Sequence, residues 1–269
     1  MTGTLSQAIA LTIVGNDVLR GHPSPDFWPA ASVFQYCAKV TFATIGPATE
    51  QLYADDPSDW FTKLAHAKIR GLRLRYVSRG DPRLEAALAA FLGGGPRWLI
   101  ESVRDGAVEI WEPRWQTTEG PSVGNRIWEV RYVRLGVSIE ALPFRAQGLS
   151  ALHVDLADVL RRVAAFADRH QLTDFARSFR RAIACLDSDT PCAGLYYPEW
   201  DRVATLPLAA KQLLGASQAG DLFGGMGSWN DLGFPEPDQA GYLALSRELS
   251  ALLRQVNCEA ASAGFAQAA

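Results

Sequence analysis

The sequence predicts an α+β fold: a mostly antiparallel sheet in the N-terminal half, packed against a helical C-terminal half. Three observations carry this. Leu72, Leu74 and Tyr76 alternate with Arg73, Arg75 and Val77, the period of a strand. Asp105-Gly106 sits between two apolar runs, 98–103 and 107–111, and Asp-Gly suits the positive φ of a type I′ hairpin turn. Leu152, Leu156, Val159, Leu160 and Val163 recur at helical spacing, which makes one amphipathic face. Strand patterns followed by helix patterns, rather than alternating with them, point to α+β.

The elements follow in order. Residues 9–14 are a short apolar, β-branched run and read as a strand. Residues 36–45 place Val40, Phe42 and Thr44 on one side. A short helix over 59–67 would be capped by Ser58 or Asp59. The strand at 72–77 puts two arginines on an outward face. A second short helix spans 82–91, with Asp81 as N-cap, Pro82 at the first position, and a stop at Gly93-Gly94-Gly95-Pro96. After the hairpin, residues 126–133 set Trp128, Val130 and Tyr132 against Glu129 and Arg131.

The pattern changes near 136–151. The chain therefore divides into a strand-rich region at 1–140 with two short helices, a helical region at 141–260, and a small, polar, frayed tail at 261–269. One integrated domain is the alternative. The first long helix covers 152–169. Thr173 or Asp174 caps the next, with Phe175, Phe179, Ile183 and Leu186 inward. A third covers 206–219, with Pro207 near its start. Asp238 opens the last, whose buried face is Tyr242, Leu245, Leu249, Leu252 and Val256.

Composition bounds the function. At 269 residues, nearly half of them apolar, the chain can bury a sizeable core. Net charge is -3, and neither half has the basic excess of a nucleic-acid binder. Arginine far outnumbers lysine, which is confined to Lys39, Lys63, Lys68 and Lys211; with the Ala and Leu enrichment this points to a GC-rich, bacterial source. Cys37, Cys185, Cys192 and Cys258 include no C-x-x-C pair. They read as four reduced, mostly buried thiols, although Cys185 and Cys192 could meet across a loop. The first residues carry no positive charge, and no apolar run approaches the length of a membrane span. A cytoplasmic protein without a membrane segment is expected. His22, His66, His153 and His170 form no H-x-x-x-H pattern, so no metal is expected, and no sequence motif calls for a cofactor.

Two loops and two sets of carboxylates stand out. Phe223-Gly224-Gly225-Met226-Gly227-Ser228-Trp229-Asn230-Asp231 packs glycines, aromatics and an Asn-Asp pair between helices. Its spacing matches neither a phosphate loop nor a dinucleotide fingerprint, and Ser228 is not in a nucleophile elbow. Its structural reading has Phe223 and Trp229 plugging the core and Asn230 or Asp231 capping a turn; its functional reading is a binding surface. Leu195-Tyr196-Tyr197-Pro198-Glu199-Trp200 is an aromatic loop between helices. Exposed, Tyr196, Tyr197 and Trp200 would anchor a partner; buried, they would seal the helical layer. Trp98, Trp111, Trp115 and Trp128 lie in the strand region beside Glu101, Glu109, Glu112 and Glu129. Aromatic platforms with paired carboxylates can bind and hydrolyse glycans, but core tryptophans and a solvated row of glutamates are the commoner arrangement. The arginines at 161, 162, 169, 177, 180 and 181, interleaved with aspartates, read as a solvated helix face.

The leading expectation is a binding or protein-interaction protein, possible roles being toxin neutralisation or assembly, with one or both loops as the surface. A hydrolase is the alternative, using Asp231 with Glu199 or Asp201, or Glu109 with Glu112. A small-molecule sensor, the third class, would need a closed apolar pocket.

Overall fold

The computed structural model describes residues 1–46, 49–77, 97–105, 107–119, 123–140, 148–224 and 226–266. The helix expected over 82–91 and its glycine-rich stop lie outside them. The chain forms two compact units. The N-terminal unit comprises Gly3–Phe144, Val203–Thr205 and Gly264–Ala269; the C-terminal unit comprises Met1–Thr2, Arg145–Arg202 and Leu206–Ala263.

The N-terminal unit opens with α1 (Gly3–Leu19), where the sequence suggested a strand over 9–14. Every residue from Leu5 to Asp17 is buried. A helix buried on all sides has no amphipathic stripe to announce it, and a short β-branched run does not distinguish the two structures. Its buried polar groups are partnered. Gln7 accepts from the Tyr132 hydroxyl at 3.0 Å. Thr12 Oγ1 donates to the Ala8 carbonyl at 2.8 Å. Asp17 accepts from the Ala204 and Thr205 amides at 3.2 and 2.8 Å.

Among the described residues six strands follow: β1 (Cys37–Ile45), β2 (Glu50–Ala54), β3 (Gly71–Val77), β4 (Arg97–Arg104), β5 (Ala107–Thr117) and β6 (Trp128–Glu140), with α2 (Pro57–His66) between β2 and β3. Their order is β2-β1-β6-β5-β4-β3. The sheet is mixed: β1 and β6 run parallel, and the other pairings are antiparallel. The expected hairpin joins β4 and β5, with Arg104 opposite Ala107. Asp56 caps α2, one turn earlier than the sequence reading, by accepting from Asp59 N at 2.8 Å; Pro57 then occupies the first turn, which it suits.

α1 and α2 supply helical cover within this unit, α1 packing on β3 and β4. Phe42 stacks on Trp60 of α2 at 4.2 Å and on Tyr132 at 5.3 Å, and Trp60 meets Trp111 edge-on at 5.3 Å. The opposite sheet face holds Val77, Leu99, Val103, Val108, Ile110 and Leu135, with Phe265 packed against them. The arginines expected to point to solvent are not free to do so. Arg73 is only 3% exposed, and its guanidinium pairs with Glu101 at 3.0 Å. Arg75 is half-buried and pairs with the same carboxylate. Charges tolerate burial only when so matched.

β3 is an edge strand, and Asn16 of α1 occupies its free side. Asn16 Nδ2 donates to the Leu72 carbonyl at 2.9 Å and its Oδ1 accepts from Leu72 N at 2.7 Å, as a neighbouring strand would.

The C-terminal unit contains α3 (Leu149–Arg169), α4 (Thr173–Leu186) and α5 (Leu208–Gly220), packed against one another, and most of α6 (Asp238–Ala266). The five apolar positions that identified α3 are all buried. On α4, Phe179 and Leu186 are buried with Ala176, Ala182 and Cys185, while Phe175 and Ile183 are half-buried. No side chain caps α4: Leu172 precedes it, and Asp174 instead pairs with Arg177 at 2.8 Å. α6 runs beyond the expected fraying point, with Ala260, Ala261, Ser262 and Ala263 buried; small residues here allow close packing rather than disorder. Leu253 joins Tyr242, Leu249 and Val256 inside, whereas Leu245 and Leu252 are half-buried. Among the described residues no helix is long and apolar enough to cross a membrane.

Candidate functional site

The aromatic loop after α4 is divided between core and surface. Tyr197 is 8% exposed and Trp200 is fully buried; their rings stack at 5.0 Å and 15°. Tyr196 is 56% exposed, its ring edge-on to Tyr197 at 5.1 Å. The loop is held from several sides. Tyr197 N donates to Gln218 Oε1 of α5 at 2.8 Å. Arg181 of α4 donates to the Gly194 carbonyl. The Cys192 amide donates to the Asp201 carboxylate at 3.1 and 3.2 Å, and Lys211 Nζ donates to the Asp201 carbonyl at 2.7 Å. Gly194 sits at φ +67, a conformation glycine adopts without strain.

This loop forms one wall of a cleft of about 400 Å³. Ser178 and Arg181 come from α4, Gly194, Leu195 and Tyr196 from the loop, and Gln218 and Ala219 from α5. Gln218 Nε2 is buried and has no hydrogen-bond partner among the described residues. Ser178 Oγ donates to the Asp174 carbonyl at 3.0 Å, so its lone pairs remain as acceptors. Among the described residues no carboxylate lines the cleft. Arg181 also differs from neighbouring arginines. Arg162 pairs with Asp158 and Glu248, Arg177 with Asp174, and Arg180 with Asp168; among the described residues no ion pair includes Arg181. Cationic and donor character therefore dominates the polar part of the cleft, beside an aromatic ring.

Arg181 belongs to the arginine group whose pattern reads as a solvated face, and no sequence pattern includes Gln218. One signal was present: no acidic residue lies three or four positions from Arg181 on its helix, unlike Arg162 or Arg177. Nothing in the sequence marks Gln218, because its role depends on a loop twenty residues away.

The 223–231 loop is built around Trp229. Its fully buried indole meets Phe175, Phe179 and Tyr242 at 5.4, 5.0 and 5.5 Å, and Nε1 donates to Ser246 Oγ at 2.9 Å. Phe223 is only half-buried. Asn230 Oδ1 accepts from Gly224 N at 2.9 Å and Ser228 Oγ at 2.8 Å. Asp231 Oδ2 accepts from Gly227 N at 2.7 Å and Ser228 N at 3.2 Å. Asn230 and Asp231 thus hold the turn, as capping residues do. Gly225 lies outside the described residues.

The candidate carboxylates Asp201, Asp231, Glu109 and Glu112 are similarly engaged. Asp231 bonds within its own loop, and Asp201 holds the Cys192 amide. Glu199 lies in the short 3-10 turn at Pro198–Arg202. Glu109 pairs with Arg134 at 3.2 Å and Arg104 at 3.8 Å. Glu112 is buried and pairs with Arg97 and with Arg114, the latter at 3.4 Å. Three residues apart on β5, Glu109 and Glu112 project from opposite faces of the sheet and do not share a cleft. The tryptophans are likewise dispersed: Trp111 joins Phe42 and Trp60, Trp115 meets Trp128 at 5.8 Å, and Trp98 meets Tyr76 at 4.9 Å.

All four cysteines are free, and Cys258 alone is not fully buried. Burial pushes the Cys37, Cys185 and Cys192 thiols up, and nearby Asp201 adds to this at Cys192; none is poised as a thiolate nucleophile. Among the described residues no group of His, Cys, Asp and Glu side chains is arranged to hold a metal ion. No protein-family model, curated protein or solved structure matches the chain.

Proposed function

We propose that this chain is a binding protein that engages a protein partner through the Tyr196 loop. The observation that carries this is a half-exposed tyrosine on a loop fixed by buried aromatics and side chain to backbone hydrogen bonds. A ring already held in place loses little freedom on association, and rigid aromatics dominate interface energetics. Toxin neutralisation and assembly are both roles of this class. The lysine-poor composition and the four free thiols support a bacterial cytoplasmic setting. The hydrolase reading has less support, because Asp201 and Asp231 hold turns and Glu109 and Glu112 neutralise arginines.

The test replaces Tyr196 with p-benzoylphenylalanine and irradiates the protein in lysate of its native source. A second version carries the photoreactive residue at Leu243, another exposed apolar position of the same unit. The expected result is a discrete cross-linked species from position 196 alone. Excess unlabelled protein should abolish it, and excess Tyr196→Ala protein should not. Equal labelling from both positions would defeat the reading.

A further inference from the structure

We propose that the cleft beside Tyr196 is a carboxylate-binding site, and that its ligand is an acidic side chain or chain terminus presented by a peptide segment of the partner. This deepens the interaction reading and rests on it.

The charge argument is local. The chain as a whole is at -3 and has no general attraction for acids. Within the cleft the sign reverses, because Arg181 is the only charged residue among the described residues lining it. Arg162, Arg177 and Arg180 have acidic partners, while Arg181 spends one N–H on the Gly194 carbonyl and keeps the rest of its planar donor set. Gln218 supplies a second donor: its Oε1 is committed to Tyr197 N, while its buried Nε2 has no partner among the described residues. An unsatisfied buried donor is costly, which favours a small shift of the Gln218 side chain that brings Nε2 to an acceptor in the cleft.

The chemistry selects the ligand. One guanidinium and one amide N–H suit the single charge and two oxygens of a carboxylate, and hydrogen bonds to an ionised acceptor are the stronger kind. A phosphate dianion would carry one charge more than the single guanidinium matches. The volume, about 400 Å³, exceeds what one carboxylate fills. Leu195, Ala219 and the exposed Tyr196 ring offer the remainder to an apolar side chain next to the acid. A peptide segment supplies both groups together.

Three fluorescently labelled probes test this by anisotropy against the full chain: a pool of short peptides combining Asp or Glu with Phe or Leu, the same pool with Asn and Gln replacing the acids, and labelled benzoate. The acidic pool should bind and the neutral pool should not. Arg181→Gln should weaken binding by about tenfold or more. Because Arg181 also holds Gly194, a second variant protects the inference. Gln218→Glu keeps an oxygen for Tyr197 N but replaces the free donor with a charge that repels the ligand, so it should lose binding while remaining folded by circular dichroism. Equal binding of acidic and neutral pools, or full binding by Gln218→Glu, overturns the carboxylate site and leaves the Tyr196 interaction standing. Benzoate binding without peptide binding overturns the peptide ligand in favour of a free carboxylic acid. Binding by no probe overturns the inference, and the cross-linking result at position 196 then decides the broader reading separately.

Discussion

Removing the side chain of Asn16 should destabilise the protein by an amount set by two backbone groups. Asn16 is 2% exposed and is the partner of both Leu72 N–H and Leu72 C=O on the free side of β3. Asn16→Ala leaves both without a partner in a site closed to water. Each unsatisfied buried group costs about 1–3 kcal/mol, so the loss is about 2–6 kcal/mol, before any cavity contribution. Urea unfolding followed by tryptophan fluorescence measures it, and hydrogen exchange at the Leu72 amide localises it. Asn16→Asp refines the test. Its ionised carboxylate accepts from Leu72 N–H but confronts the Leu72 carbonyl with a second acceptor; protonated, it can donate there as the amide does. Its folded pKa is therefore raised. Stability should be greatest below the ordinary aspartate pKa of about 3.9 and fall as pH rises towards the folded value. A loss below about 0.5 kcal/mol in Asn16→Ala, within the scatter of neutral surface substitutions, or an unchanged Leu72 exchange rate would refute the strand-like role.

Trp229→Ala should cost about 3–5 kcal/mol, since it empties a fully buried aromatic site, whereas Trp229→Phe should lose mainly the bond to Ser246; chemical denaturation separates the two. Leu249→Ala on α6 should cost about 2–5 kcal/mol, and Leu245→Ala clearly less because Leu245 is half-buried; equal losses would mean α6 is rotated from the orientation described. Burial pushes the Glu259 carboxyl up from 4.5 to about 7, so its charged form opposes folding. Its effect is smallest below 4.5, and stability falls as pH rises from there to about 7. Glu259→Gln should flatten that part of the profile and raise Tm at alkaline pH, which differential scanning calorimetry would register.

What could be read beforehand followed periodicity. Alternation identified β3, Asp-Gly identified the β4–β5 hairpin, and apolar spacing identified α3. These signals are local and survive in one dimension. The misses share a different cause. α1 is buried all round, so its apolar residues form no stripe. Arg73 looked like a surface residue because alternation says which residues share a face, not whether that face meets water. The parallel pairing of β1 with β6 joins segments some ninety residues apart, and no local pattern encodes it. At the candidate site Tyr196 was legible as a conspicuous aromatic, but its exposure and the burial of Tyr197 were not. Arg181 was visible as a helix arginine without an acidic neighbour, and Gln218 became meaningful only when α5 met the loop.

The way α1 is satisfied has a consequence for biosynthesis. Asp17 takes its backbone partners from Ala204 and Thr205, and the Arg73 guanidinium lies over the Phe265 ring at 5.6 Å. A ribosome that has just made β6 has therefore supplied every strand of the sheet but not the donors for a buried carboxylate, nor the ring that covers a buried guanidinium. At ordinary elongation rates the nascent sheet waits on the order of ten seconds for the rest. A fragment ended near residue 140 would hold that unfinished state permanently, with Asp17 lacking its two amide donors. Excising the strand-rich half for separate study should therefore yield a protein that aggregates or recruits chaperones, whereas adding the missing segments back in trans should rescue it.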